Sequence, residues 1–200
     1  RWHGRYSLDA TRGVQKFHIT PTPRIGGAAI MTGLWMALGA LPQPQQELLL
    51  PVLVAALPAF VFGLAEDLTR NVSVRARLLA TMASGAVCWF LTGVTLDHTG
   101  LAPLDAVLAW LPFSVLFTAF AVGGVANAVN IIDGFNGLAS GTVIIGLGAL
   151  GLIAMNVGDV HLAQLCFAIC AVTAGFFLVN FPYGKLFLGD GGAYLLGFLL

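Results

Sequence analysis

The chain has 200 residues, of which 58% are hydrophobic and 9% charged, with a formal net charge of zero. That composition excludes an ordinary soluble domain of this length. A balanced charge with no basic excess also gives no support for nucleic-acid binding. The apolar residues are gathered into long runs, which leaves a helical membrane protein as the class.

Residues 1–24 are polar and cationic and close on Pro21-Thr22-Pro23-Arg24, where two prolines disfavour helix and stiffen the chain. Six apolar runs follow: Ile25–Leu41, Leu48–Ala65, Leu78–Leu96, Val107–Ala126, Leu138–Met155 and Leu162–Val179; a seventh opens at Ala193 and is cut at Leu200. Each complete run is close to the length needed to cross a hydrocarbon core of roughly 30 Å. The predicted fold is an all-α, polytopic helical membrane bundle with six complete spans and the start of a seventh. The chain begins without Met and stops inside an apolar run. Residues 1–200 are therefore read as a single integral membrane domain, incomplete at both ends and a fragment of a larger bundle. The 25 glycines suit close helix packing in lipid. Cys88, Cys166 and Cys170 lie inside apolar runs, with no partner ligands spaced around them.

Each crossing changes sides, so the connecting segments fall into two sets. One set holds residues 1–24, 66–77, 127–137 and 180–192; the other holds 42–47, 97–106 and 156–161. The first contains Arg1, Arg5, Arg12, Lys16, Arg24, Arg70, Arg75, Arg77 and Lys185, and the second contains no Lys or Arg. By the positive-inside rule the first set is cytoplasmic. In a bacterium that places the protein in the inner (plasma) membrane with its active face toward the cytoplasm.

Four segments on that face carry chemistry. Glu66-Asp67 ends the second run and precedes Arg70, Arg75 and Arg77. Adjacent carboxylates suit a hard divalent cation, and arginines suit phosphate oxygens; the plain alternative is a solvated loop. Asn127, Asn130 and Asp133 recur every three residues, then Gly134-Phe135-Asn136-Gly137 follows. On a helix end these polar residues project from neighbouring positions, while Asn, Asp and Gly also make ordinary caps. In Asn180-Phe181-Pro182-Tyr183-Gly184-Lys185-Leu186-Phe187-Leu188-Gly189-Asp190-Gly191-Gly192, Asp190 is either an N-cap or a metal ligand. Phe187 either stacks on a base or lies in the interface. Last, Lys16-Phe17-His18 and Arg24 bring cations and a histidine to a stiff segment.

In this order, P-T-P-R-I-G-G, the acidic pair, N-A-V-N-I-I-D-G-F-N-G-L and N-F-P…F-L-G-D-G-G resemble the polyprenyl-phosphate N-acetylhexosamine-1-phosphate transferase family over nearly the whole chain. The resemblance implies transfer of a sugar-1-phosphate from a UDP-sugar to a polyprenyl (undecaprenyl) phosphate at the cytoplasmic face. The products are a polyprenyl-diphospho-sugar and UMP. It implies Mg²⁺, with Mn²⁺ as a substitute, held by Asp190 and Asn130. Asp67, Glu66 and Asp133 are implied as catalytic. Gly134, Phe135, Asn136, Asn180 and Phe187 are implied as nucleotide-binding, and Arg77 and Arg75 as phosphate-binding. His18 and Arg24 mark the first cytoplasmic motif without a defined role. Glu66 departs from the Asp often found there, and Asn136 is Asp in many relatives. The family's sugar-recognition loop would lie beyond Leu200. The lipid bilayer is a further partner, and a homodimer is the assembly left open. The acidic-pair loop does not match the D-D-x-x-K pattern of the muramoyl-pentapeptide branch, which turns the expectation toward O-antigen, capsule or teichoic-type glycans. The competing reading is a secondary transporter, which would place ionisable residues near mid-span.

Overall fold

The computed structural model describes residues 22–200. Among them are nine helices and no strand: α1 (Gly26–Ala40), α2 (Gln43–Ala55), α3 (Leu57–Thr69), α4 (Val74–Thr92), α5 (Ala102–Leu108), α6 (Leu111–Ile132), α7 (Leu138–Asn156), α8 (Val160–Asn180) and α9 (Gly189–Leu199). Four of them, α4, α6, α7 and α8, are long and apolar enough to cross a membrane. The pair α2 and α3 makes a fifth only if counted together, because the two are bent by 48°. Helix α1 is apolar but has only 15 residues. The expected count of six complete spans thus becomes four straight spans and one bent pair among the described residues.

The bend has a local cause. Pro58 lies in the first turn of α3, where it has no N–H to continue the ladder from α2. A helix start in the middle of an apolar run leaves backbone donors without partners. One of them, the Ala59 N–H, donates to Ser84 Oγ on α4 at 3.0 Å. The buried hydroxyl therefore does for the broken helix what the missing turn would have done.

Helix α9 begins at Gly189, four residues before the apolar run that announced it, and all but one of its residues are buried. It is enclosed by α1, α3 and α6. The approach of α3 depends on a missing side chain, since a Cβ on Gly63 would lie 2.6 Å from Gly191 Cα. The segment before α9 is tied down by backbone pairing. Phe187 N–H donates to the Pro23 carbonyl, and the Gly26 and Gly27 N–H groups at the start of α1 donate to the Phe187 and Leu188 carbonyls, all at 2.9 Å. The core around α9 is aliphatic, with Ile30, Leu34, Leu49, Leu53, Leu195 and Leu196 fully buried. At the opposite end of the bundle, buried Gln45 joins α2 to α8 through His161 Nδ1 at 3.0 Å and through Gln164.

Candidate functional site

The site lies where the last turns of α3 and α6 meet the first turns of α4 and α9. Asp190, in the first turn of α9, is its centre. Asn130 Nδ2, from the last turn of α6, donates to Asp190 Oδ1 at 3.1 Å. Arg24, just before α1, places Nη2 at 3.4 Å from the same oxygen. Arg77, from the first turn of α4, donates through Nη1 to Asp190 Oδ2. Asp190 is thus buried but held by two guanidinium groups and a carboxamide, the kind of surroundings a buried charge requires. The Arg77 Nε is buried with no hydrogen-bond partner among the described residues.

Asp67 is 3% exposed. Its Oδ1 accepts the Asp190 N–H and its Oδ2 accepts the Gly191 N–H, both at 2.9 Å. Arg24 Nη2 lies 3.6 Å from Oδ1. The carboxylate therefore sits on the positive end of α9. Gly189 makes this possible: its φ is +75°, and a Cβ there would lie 2.5 Å from Asp67 Oδ2.

Asp133 follows the last residue of α6 and is half-buried. Its side chain makes no hydrogen bond to the described residues. Burial pushes its carboxyl up to about 7; Arg24 pulls it back, and the charges of Asp190 and Asp67 push further upward. Asp133 is accordingly within the field of all three groups. A carboxyl titrating near neutrality beside a cation and two acids is a candidate proton carrier.

The structure also separates residues that their sequence positions grouped. Glu66 turns away from Asp190, and its Oε2 accepts the Val72 N–H at 2.8 Å, bracing the α3–α4 connection. Asn127 binds Thr81 Oγ1 at 3.1 Å and joins α6 to α4. Asn180 is buried, with both ends of its amide used internally. Oδ1 accepts the Gly137 N–H at 2.6 Å, and Nδ2 donates to the Leu186 carbonyl at 2.8 Å. It therefore clamps the loop after α6 to the loop before α9. Asn136, on that same loop, donates to the Pro182 carbonyl at 3.1 Å. Gly134 and Phe135 are exposed and Phe187 is half-buried. Arg75 is exposed and lies two residues before Arg77, on the opposite side of α4. His18 lies outside the described residues, as do Arg1, Arg5, Arg12 and Lys16.

One contributor escaped the motif reading. The Tyr194 hydroxyl donates to Asn130 Oδ1 at 3.4 Å. The available signal was spacing, since Tyr194 is four residues after Asp190 and shares its helix face. Arg24 was assigned to a motif without a role; it bridges Asp67 and Asp190.

The donor types suit a hard divalent cation: a carboxylate oxygen from Asp190 and a carboxamide from Asn130. Among the described residues no three His, Cys, Asp or Glu side chains form a ready-made metal cluster.

Comparison with known proteins identifies the family. Residues 49–200 match the family described as Glycosyl transferase family 4. The chain is 30% identical over 186 residues to a probable undecaprenyl-phosphate N-acetylglucosaminyl 1-phosphate transferase of Bacillus subtilis (strain 168), covering 92% of the chain and 51% of that protein. It is 32% identical over 190 residues to the undecaprenyl-phosphate alpha-N-acetylglucosaminyl 1-phosphate transferase of Yersinia pestis, with the same coverage of 92% and 51%. The Salmonella typhi protein of that name is 30% identical over 190 residues, again covering 92% and 51%. The chain spans about half the length of these curated relatives.

Proposed function

The chain belongs to glycosyl transferase family 4, and from that premise we propose that the protein transfers a sugar-1-phosphate, an N-acetylhexosamine-1-phosphate, from a UDP-sugar to a polyprenyl phosphate. The products are a polyprenyl-diphospho-sugar and UMP. The reaction takes place at the cytoplasmic face of the inner membrane and begins a cell-envelope glycan. The observation that carries this reading is the convergence of Asn130, Arg24 and Arg77 on Asp190 at one end of an apolar helical bundle. A soluble nucleotide can meet a lipid phosphate only at such an end.

In the reaction a lipid phosphate oxygen forms a bond to the sugar-bearing phosphorus, and the bond from that phosphorus to the oxygen of UMP breaks. Negative charge gathers around the two phosphorus centres and has to be offset in place. Asp190 and Asn130 would hold Mg²⁺, which when bound neutralises diphosphate charge. Arg77, whose Nε has no partner among the described residues, retains a donor for an incoming phosphate oxygen, and Arg75 adds a cation at the rim. Asp133, near neutrality, is matched to accept the acceptor phosphate's proton. Phe187, Phe135, Gly134 and Asn136 offer an aromatic and amide surface for the uracil, and Asn180 holds their two loops together. Nothing in the described residues favours a transporter. The spanning helices carry their Asp, Glu, Lys and Arg only at their ends.

The test is product identification. The complete protein, purified and supplied with undecaprenyl phosphate, Mg²⁺ and a panel of UDP-sugars, is expected to release UMP. It should also form one lipid-diphospho-sugar visible by mass spectrometry. Failure to turn over any UDP-sugar, with the protein folded, would reject the reading.

A further inference from the structure

An acid next to a reaction centre invites the role of base, but the contacts of Asp67 are of another kind. Both of its carboxylate oxygens receive backbone N–H groups of α9, from Asp190 and Gly191, at 2.9 Å each. The first N–H groups of a helix have no partner within it. An N-cap from the preceding residues would ordinarily supply one, yet Leu188 immediately before α9 has no side-chain oxygen, and no side-chain cap bond is made from that position. The cap comes instead from a different helix, 123 residues away in sequence. Gly189 is the residue that admits it, because any Cβ there would press on Asp67 Oδ2 and on the Arg24 carbonyl. The donor of one of these hydrogen bonds is the backbone of Asp190 itself. Fixing that N–H fixes the Cα from which the Asp190 carboxylate reaches Asn130, Arg24 and Arg77.

We infer that Asp67 is a positioning residue: it caps α9 from outside and sets the place of Asp190, and it takes no proton in the reaction. The inference rests on the transferase reading for its kinetic arm only. Its structural arm concerns the amides of α9 and stands whatever the substrate is.

A cap needs an acceptor oxygen more than a charge; Asn keeps one of the two acceptors and turns its NH2 toward the other N–H, so it preserves one of the two cap bonds. A base needs the ionisable carboxyl. The experiment compares Asp67→Asn and Asp67→Ala in the complete, membrane-inserted protein by hydrogen exchange of the 189–192 amides and by steady-state kinetics. The expected result is protection retained at one of the Asp190 and Gly191 amides in Asp67→Asn and lost at both in Asp67→Ala. Asp67→Asn should keep kcat within about tenfold of the parent with KM for the UDP-sugar unchanged, a loss in the range of a weakened cap. Asp67→Ala should lose at least a further tenfold, so that the amide rescues what the methyl cannot. Two results overturn the inference: unchanged protection in Asp67→Ala, or near-complete loss of kcat in Asp67→Asn while one of the two amides stays protected. If Asp67→Ala does not insert, Asp67→Asn decides alone: kcat within about tenfold of the parent with one amide protected supports the inference, and near-complete loss of kcat with that protection kept overturns it. If the parent shows no turnover with any UDP-sugar, the transferase reading has failed, while the exchange result still decides the cap.

Discussion

Asn130 and Asp190 are 60 residues apart in sequence, and their side chains meet at 3.1 Å, the Asn130 amide donating to Asp190 Oδ1. The amide oxygen is in turn approached by the Tyr194 hydroxyl. The pair joins the last turn of α6 to the first turn of α9, so each helix end is held by the group it presents.

If this pair carries the diphosphate site, Asp190→Asn should remove most turnover, by about a hundredfold to a thousandfold in kcat, the scale seen when a group stabilising transition-state charge is lost. Asn130→Ala should cost less, since Arg24 and Arg77 still hold Asp190. Steady-state kinetics on folded, membrane-extracted variants checks this. Comparable activity in Asp190→Asn and the parent would remove Asp190 from the centre.

Asp133 gives a pH dependence with a definite sign. Its carboxyl is raised from an ordinary 3.8 to about 7 in the folded protein, chiefly by burial. The folded state therefore holds the proton more tightly than the unfolded chain. The stability this contributes is fully present below pH about 4 and is lost as pH rises through about 7. Thermal melts of the substrate-free protein should show Asp133→Asn gaining on the parent as pH rises across that window. A difference in melting temperature that stays flat from pH 4 to 8 would contradict the assignment.

Asn180 and Phe187 should separate cleanly. Asn180 spends both ends of its amide on the Gly137 N–H and the Leu186 carbonyl. Asn180→Ala should therefore lower stability by about 1–3 kcal/mol through the two backbone groups it leaves buried, and should weaken UMP binding as a consequence. Phe187→Ala should weaken UMP binding by about 1–3 kcal/mol, the range for an aromatic stack on a base, with a smaller change in melting temperature. Calorimetry with UMP alongside thermal melts distinguishes them.

Gly63→Ala tests the packing behind the site. The added methyl would lie 2.6 Å from both Gly191 Cα and Gly191 N, which are backbone atoms that cannot swing aside. Helices α3 and α9 must separate, at a cost of about 1–3 kcal/mol, and Asp67 loses its reach to α9. Stability and turnover should fall together, whereas Gly124→Ala, where nothing lies within 4 Å of the added Cβ, should change neither through packing.

Sidedness is checked by labelling. Single cysteines replacing Arg70 and Lys185 should react with an impermeant reagent only from the cytoplasm, and one replacing Gln46 only from outside. Arg70 and Lys185 reacting from opposite sides would break the shared face.

Much of this molecule could be read from residue order. Apolar runs of membrane length required helices, because an unpaired backbone group in hydrocarbon is too costly. Alternation of those runs placed Arg24, Asp67, Arg77, Asn130, Asp133 and Asp190 at one end before any contact was known. That step depends only on counting crossings and on the absence of Lys and Arg from the opposite connections. The motifs around Asn130 and Asp190 pointed to the two residues that meet.

Tertiary structure decided the rest, and for one reason throughout: a polar side chain's role depends on which unsatisfied group it faces. Adjacent Glu66 and Asp67 were indistinguishable as a pair, yet Glu66 accepts from Val72 in a surface connection and Asp67 from the buried start of α9. Asn180 and Asn136 both read as nucleotide ligands, and only packing shows that Asn180 faces inward to two backbone groups. The second apolar run read as one span because hydropathy is blind to a bend whose freed donor is met by Ser84. The early start of helix α9 is hidden in the sequence because Gly189-Asp190-Gly191-Gly192 is a poor helix start by itself. An acid from another helix supplies the cap that makes it one.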